Sequence, residues 1–201
     1  MNVYVESNFV REHALEQEEC DTCAELIRLA SANRLKLVIP AFSLAEPHYA
    51  IFGKAKTRSR LGEDLRAQLG ELGRSKSYRD IPAAFDALAA ALIERAQFER
   101  ESVRRAVMDL LLAAEVIPLD DGILREAAAI EVDYDLSSQD AIVLASVLAH
   151  LESTAPPESC FLNRNTKDFD DPDIRARLEA LLCKFFSKFA PGLAFIVARL
   201  Q

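Results

Sequence analysis

Residues 36–40 read Lys36-Leu37-Val38-Ile39-Pro40. Three apolar residues in a row, two of them β-branched and closed by a proline, spell a short strand. No polar residue alternates with them, so the strand is buried on both faces, as in a parallel sheet. Its flanks are helical. Upstream, Leu15, Cys20, Cys23, Ala24, Ile27 and Ala30 recur at helical spacing over residues 14–33, and downstream a long helical stretch opens near Ser43. The same short strand type recurs at Val3-Tyr4-Val5, Val116-Ile117-Pro118-Leu119, Ser159-Cys160-Phe161-Leu162 and Lys184-Phe185-Phe186. Helical patterns separate these strands. One covers 80–114, with Leu88, Ala91, Leu92 and Arg95 three to four apart and Pro82 suited to its first turn. Another covers 121–131. A third is capped by Ser137 or Ser138 and runs through Ile142, Ala145, Val147 and Leu148. Asp171-Pro172 opens a fourth that runs through Leu182, and a terminal helix carries Leu193 to Leu200. Strands alternating with helices predict an α/β fold whose mostly parallel sheet is covered on both faces. Residues 51–115 carry helical patterns and no strand signal, which predicts a helical insertion in a single domain spanning 1–201.

Composition bounds the function. The chain has 201 residues, 50% hydrophobic and 28% charged, the mix of an ordinary globule that needs no disulfide or metal staple. No apolar run approaches the roughly 20 residues that span a bilayer, and residues 1–6 show no signal-peptide pattern. A cytoplasmic protein without membrane association is therefore expected. The net charge is −8, which excludes a whole-surface attraction to nucleic acid but leaves room for a local basic stripe. Cys20 and Cys23 form a Cys-x-x-Cys pair inside a helical stretch, while Cys160 and Cys183 stand far apart. A structural zinc site wants a second close pair, so buried free thiols are the better account.

Ligands of open α/β sheets sit beyond the carboxyl ends of the strands. Glu6 ends the first strand, and Glu46 lies a turn or so beyond the second. Asn163, Arg164, Asn165 and Asp168 follow Phe161-Leu162, and Asp140 falls in the first turn of its helix. Each acid alone has a plain account as a turn or solvated helix residue. Together they place four carboxylates at one sheet edge. Carboxylates so crowded cannot all stay ionised without a cation. An oxygen-only donor set suits Mg²⁺ or Mn²⁺.

Four segments, in this order, resemble the PIN-domain family of metal-dependent nucleases, which includes the ribonuclease toxins of bacterial toxin–antitoxin pairs. They are Val3-Tyr4-Val5-Glu6-Ser7-Asn8-Phe9-Val10, Ile39-Pro40-Ala41-Phe42-Ser43-Leu44-Ala45-Glu46, Ser137-Ser138-Gln139-Asp140-Ala141-Ile142-Val143-Leu144-Ala145 and Phe161-Leu162-Asn163-Arg164-Asn165-Thr166-Lys167-Asp168-Phe169. The resemblance implies a PIN-like parallel sheet flanked by helices. It makes Glu6, Glu46, Asp140 and Asp168 the catalytic, metal-binding quartet, with Asn8 and Asn165 as supporting polar residues. The first acid of the family is usually Asp; here it is Glu, one methylene longer. The implied activity is metal-dependent endoribonuclease hydrolysis of RNA, with Mg²⁺ or Mn²⁺ lowering the pKa of a bound water. An antitoxin-like protein partner and a homodimer are implied as well. The alternative is a catalytically weak module of the same fold that binds RNA or a protein.

The insertion carries a local charge excess. Lys54, Lys56, Arg58, Arg60, Arg66, Arg74, Lys76 and Arg79 face only Glu63, Asp64 and Glu71 between residues 54 and 79. Lys54, Lys56, Arg58 and Arg60 are the candidate nucleic-acid contacts, because such a stripe can track a phosphate backbone. A solvated helix face or a partner surface accounts for it equally well. His13, His48 and His150 are scattered and suggest no nucleophile–base pair, and no Asp-x-Asp pair follows the first strand for a phosphatase mechanism.

Overall fold

The computed structural model describes residues 1–78 and 81–200. Five strands form one sheet: β1 (Asn2–Val5), β2 (Lys36–Pro40), β3 (Ala114–Ile117), β4 (Ser159–Leu162) and β5 (Cys183–Phe186). Their order is β3-β2-β1-β4-β5, and every neighbouring pair is parallel. The expected α/β architecture is met. The register aligns Tyr4 with Val38 and with Phe161, so these three share one face of the pleat. There they pack with Ile123, Ile130, Leu144, Leu148, Ile174 and Leu178. Those residues belong to α5 (Asp121–Asp133), α6 (Ser138–Thr154) and α8 (Pro172–Ala180). Val3, Val5, Leu37, Ile39, Cys160 and Leu162 point to the other face. Their partners include Phe9 and Val10 of α1 (Ser7–Ala14), Leu26 and Leu29 of α2 (Cys20–Ser31), and Phe189 and Ile196 of α9 (Phe189–Val197). Both faces are covered, which is why the strands read as unbroken apolar runs.

Of the helical pattern over 14–33, the structure keeps Cys20–Ser31 as α2, and Ala14 is the last residue of α1. The chain leaves helical geometry over residues 15–19, where Glu16 takes a left-handed φ of 52°. Helix α1 already opens at Ser7, directly after β1. The terminal helix starts at Phe189, earlier than Leu193, and β3 starts at Ala114, so the last two residues of the 51–115 segment are strand. Ser137 and Asp171 cap their helices as the sequence suggests: Ser137 Oγ accepts from Asp140 N, and Asp171 accepts from Asp173 N and Ile174 N.

Two long helices lie between β2 and β3: α3 (Ala41–Leu72) and α4 (Ile81–Ala113), with a 3-10 turn at Lys76–Tyr78. The chain divides into two compact units, Met1–Glu46 with Ala106–Gln201, and Pro47–Arg105. The second unit is a helical pair closed by its own small core of Ile51, Ala55, Leu69, Ala89, Ala96 and Val103. Glycine at position 62 allows the approach, since a Cβ there would lie 2.9 Å from the Ala89 carbonyl oxygen. Glu99 is buried among these residues and is ion-paired to Arg58 and, at 3.2 Å, to Arg95. Arg79 of the basic stripe lies outside the described residues. Among the described residues no helix is long and apolar enough to cross a membrane, and the four cysteines are free thiols.

Candidate functional site

The strand order places β1 beside β4 where the two halves of the sheet wind apart, so a crevice opens beyond their carboxyl ends. Glu6 directly follows β1, and Asn163 directly follows β4. A cleft of about 500 Å³ lies there, and Glu6, Glu46 and Asp140 all line it, together with Asn8 and Asn165. Asp168 is not among the lining residues. It sits half-buried on α7 (Thr166–Phe169), a single turn that seats Phe169 against Phe161 with ring centroids 5.6 Å apart. None of the three histidines lines the cleft.

Of Glu6, Glu46 and Asp140, Glu6 is the buried one, with 5% of its surface exposed. Its Oε2 accepts from the Ser7 hydroxyl at 2.7 Å, and its Oε1 is buried with no hydrogen-bond partner among the described residues. Burial pushes the Glu6 carboxyl up to about 7. Hydrogen bonds from Ser7 and Asn8 oppose that shift, and the nearby charge of Glu46 adds to it.

Asp140 is held from two sides. Ser137 Oγ donates to its Oδ2 at 2.6 Å, and Asn165 Nδ2 donates to its Oδ1 at 3.1 Å. Asn165 stands at the N-cap of α7 yet makes no capping bond, because its amide is turned to Asp140 instead. The fully buried Asn163 fixes that loop by accepting from Asn165 N at 2.8 Å. Two strand-end asparagines thus set the position of a carboxylate 25 residues upstream of Asn165.

The cleft also holds charges to which the sequence alone assigns no role. Arg164 is ion-paired to buried Glu12 and lies 3.4 Å from Glu18 and 3.8 Å from Glu19. Glu19 in turn accepts from the N–H groups of Phe189 and Ala190, capping α9. Arg11 makes one long hydrogen bond, 3.4 Å to Asn8 Oδ1, and no ion pair among the described residues. Arg164 and Arg11 therefore differ: the first is neutralised by three carboxylates, the second is uncommitted. Position was the available signal, since Arg164 follows a strand end and Arg11 shares α1 with Asn8. Nothing in the local sequence signals the pairing of Glu12.

The donor set fits a hard divalent cation in part. Glu6 and Glu46 repel, Glu6 Oε1 lacks a partner, and the acids and amides around it offer oxygen donors. Among the described residues, however, no three acidic, histidine or cysteine side chains form a ready-made metal group. Mg²⁺ asks for less, because it commonly takes one or two carboxylates and keeps several waters.

No protein-family model matches the sequence, and no curated protein matches it. Among solved structures, the chain is similar to a chain of VapBC2 from Rickettsia felis, crystallised bound to a DNA fragment from their promoter. The TM-score is 0.50 at 11% identity, over 92% of this chain and 99% of that one. At that identity the likeness is one of fold.

Proposed function

We propose that this protein is a PIN-like, metal-dependent endoribonuclease. The observation that carries the proposal is the partnerless, buried Glu6 Oε1 in a cleft shared with Glu46 and Asp140, at the carboxyl edge of a parallel sheet. Glu6, Glu46 and Asp140 would hold Mg²⁺ or Mn²⁺, with Asp168 acting as the fourth, more distant acid. When bound, such an ion supplies a water of lowered pKa and offsets charge on the phosphate. The chain's own residues do the rest. Asn165 and Ser137 keep Asp140 aimed. Arg11, uncommitted to any carboxylate, meets a non-bridging phosphate oxygen. Arg164 stays locked to Glu12 and orders the wall. No side-chain nucleophile is needed. The fold shared with a VapBC2 chain supports a toxin-like role with an antitoxin-like protein partner. A homodimer acting on cytoplasmic RNA completes the proposal.

One observation favours a second reading, a module that binds RNA or a protein with little cleavage. The acids do not form a three-ligand group, and Asp168 lies away from the cleft lining. The test is Mn²⁺-dependent cleavage of single-stranded RNA by the wild type and by Asp140→Asn. The nuclease proposal expects cleavage to fall by about 100-fold or more, on the order of one essential electrostatic group, with RNA binding retained. Equal cleavage by both proteins would overturn it. No cleavage by either, with binding intact, would favour the second reading.

A further inference from the structure

The two compact units differ in charge. Residues 47–105 carry 12 Lys and Arg against 8 Asp and Glu, a net of +4, while the rest of the chain carries 12 against 24, a net of −12. Such asymmetry within an acidic chain points to a polyanion-binding element. Some of these cations are already engaged. Arg58 and Arg95 are ion-paired to buried Glu99 inside the helical pair. Among the described residues no ion pair holds Lys56, Arg100 or Arg104. Arg100 and Arg104 both lie over the Phe52 ring, at 5.2 and 5.7 Å from its centroid. Stacking on a ring face leaves the guanidinium edges free to donate.

A second cleft of about 500 Å³ runs between α3 and α4. Ala55 and Ala96 form its buried floor, and Lys56, Arg60 and Ser59 from α3 face Gln97 and Arg100 from α4. Two acids also line it. Asp64 lies 3.8 Å from Arg60, and Glu63 accepts from Ser59 Oγ at 3.5 Å. The small floor residues bring the helices close, while the long cations on both rims stay in solvent.

We propose that this cleft binds the phosphate backbone of single-stranded RNA, with Lys56 and Arg100 gripping from opposite helices. The class of polyanion rests on the ribonuclease reading; the site does not, because it lies wholly within residues 47–105 and uses none of the strand-end acids. Arg58, committed to Glu99, contributes structure and leaves the phosphates to Lys56 and Arg100. The cleft's own Glu63 opposes the ligand, so its neutralisation should tighten binding.

The test uses the full chain in EDTA, so that metal and cleavage play no part. The probe is a fluorescein-labelled oligouridylate of about 12 nucleotides, within the span that single-strand sites cover, titrated across a series of NaCl concentrations. Lys56→Ala with Arg100→Ala should weaken binding roughly tenfold at low salt. The slope of log affinity against log salt should fall by about 1.4, or about 0.7 for each phosphate that the protein no longer neutralises. Glu63→Gln should tighten binding. Arg74→Ala with Lys76→Ala, equally exposed but outside the cleft, should change affinity less than about twofold, and unchanged melting checks that all variants fold. An equal weakening in the Arg74/Lys76 variant marks diffuse attraction and overturns the proposal. So does binding unaltered by Lys56 and Arg100, the absence of RNA binding, or displacement of the RNA by polyglutamate of equal charge. Cleavage in Mn²⁺ is scored separately. RNA binding that depends on Lys56 and Arg100 without cleavage would sink the nuclease reading and leave this site standing; cleavage with binding indifferent to both residues would do the reverse.

Discussion

Glu6 shows what burying a single carboxyl costs. A carboxyl held at about 7 instead of its ordinary 4.5 favours the protonated form in the fold. Between those two values the folded state binds more proton than the unfolded state, so stability falls as pH rises through the window. The gap corresponds to on the order of 3 kcal/mol. Below pH 4.5 the contribution is fully favourable, and above about 7 it is lost. Glu6→Gln removes the titration while keeping an acceptor for the Ser7 hydroxyl. In EDTA, the variant and the wild type should therefore melt alike near pH 4. The variant should melt higher above pH 7, with the difference opening across the window. Parallel melting curves from pH 4 to 8 would show that Glu6 is not desolvated as the fold places it. Mn²⁺ at pH 8 should raise the wild-type melting temperature more than that of Glu6→Gln, because the ion replaces the missing partner of Oε1.

At the scale of elements, close packing decides what may change. Helix α9 crosses β4 at Gly192, where an added Cβ would lie 2.3 Å from Cδ2 of Leu162, itself fully buried. Gly192→Ala should cost about 1–3 kcal/mol through overpacking. Because Leu162 immediately precedes Asn163, it should also disturb the loop that aims Asn165 at Asp140. Thermal melting alongside Mn²⁺-dependent cleavage checks both effects; a variant as stable and as active as wild type would contradict the packing. These elements were unequally legible in the sequence. β2 and β4 were read to the residue, because their apolar runs are bounded by Pro40 and by Asn163. The break between α1 and α2 was not, because it is set from far away. Arg164 draws in Glu12, Glu18 and Glu19, and Glu19 caps α9 some 170 residues on. Helical spacing carries no trace of such long-range pairings. The site divides in the same way. Glu6, Glu46 and Asp140 were visible as acids at strand ends or a helix start, whereas the Glu12–Arg164 wall exists only once the sheet brings α1 and β4 together. Asp168 matched the sequence pattern, yet its turn is anchored by Phe169.

For the molecule as a whole, the two units hold themselves together by different means. The sheet unit buries Tyr4, Phe9, Phe161, Phe169 and Phe189 completely, alongside a full set of Leu, Ile and Val. Among its described residues the helical unit buries three alanines, Ile51, Leu69 and Val103, and with them the charged Glu99 and the hydroxyl of Ser102. Alanine contributes little apolar area, and burial is worth roughly 25 cal/mol per Å². The helical unit should therefore open at a lower free energy than the sheet. Native-state hydrogen exchange should show residues 51–69 and 85–103 exchanging through a sub-global opening, while β1, β2 and β4 exchange only on global unfolding. Arg58→Ala sharpens the test. It leaves Glu99, 3% exposed, with one fewer cation, and a buried charge short of a partner costs about 1–3 kcal/mol. That cost should speed exchange in residues 51–69 and 85–103 and leave β1 unaltered. Equal acceleration in β1, or a helical unit as protected as the sheet in the wild type, would mean that the chain opens as one cooperative body and that the small core between α3 and α4 is not what sets its stability.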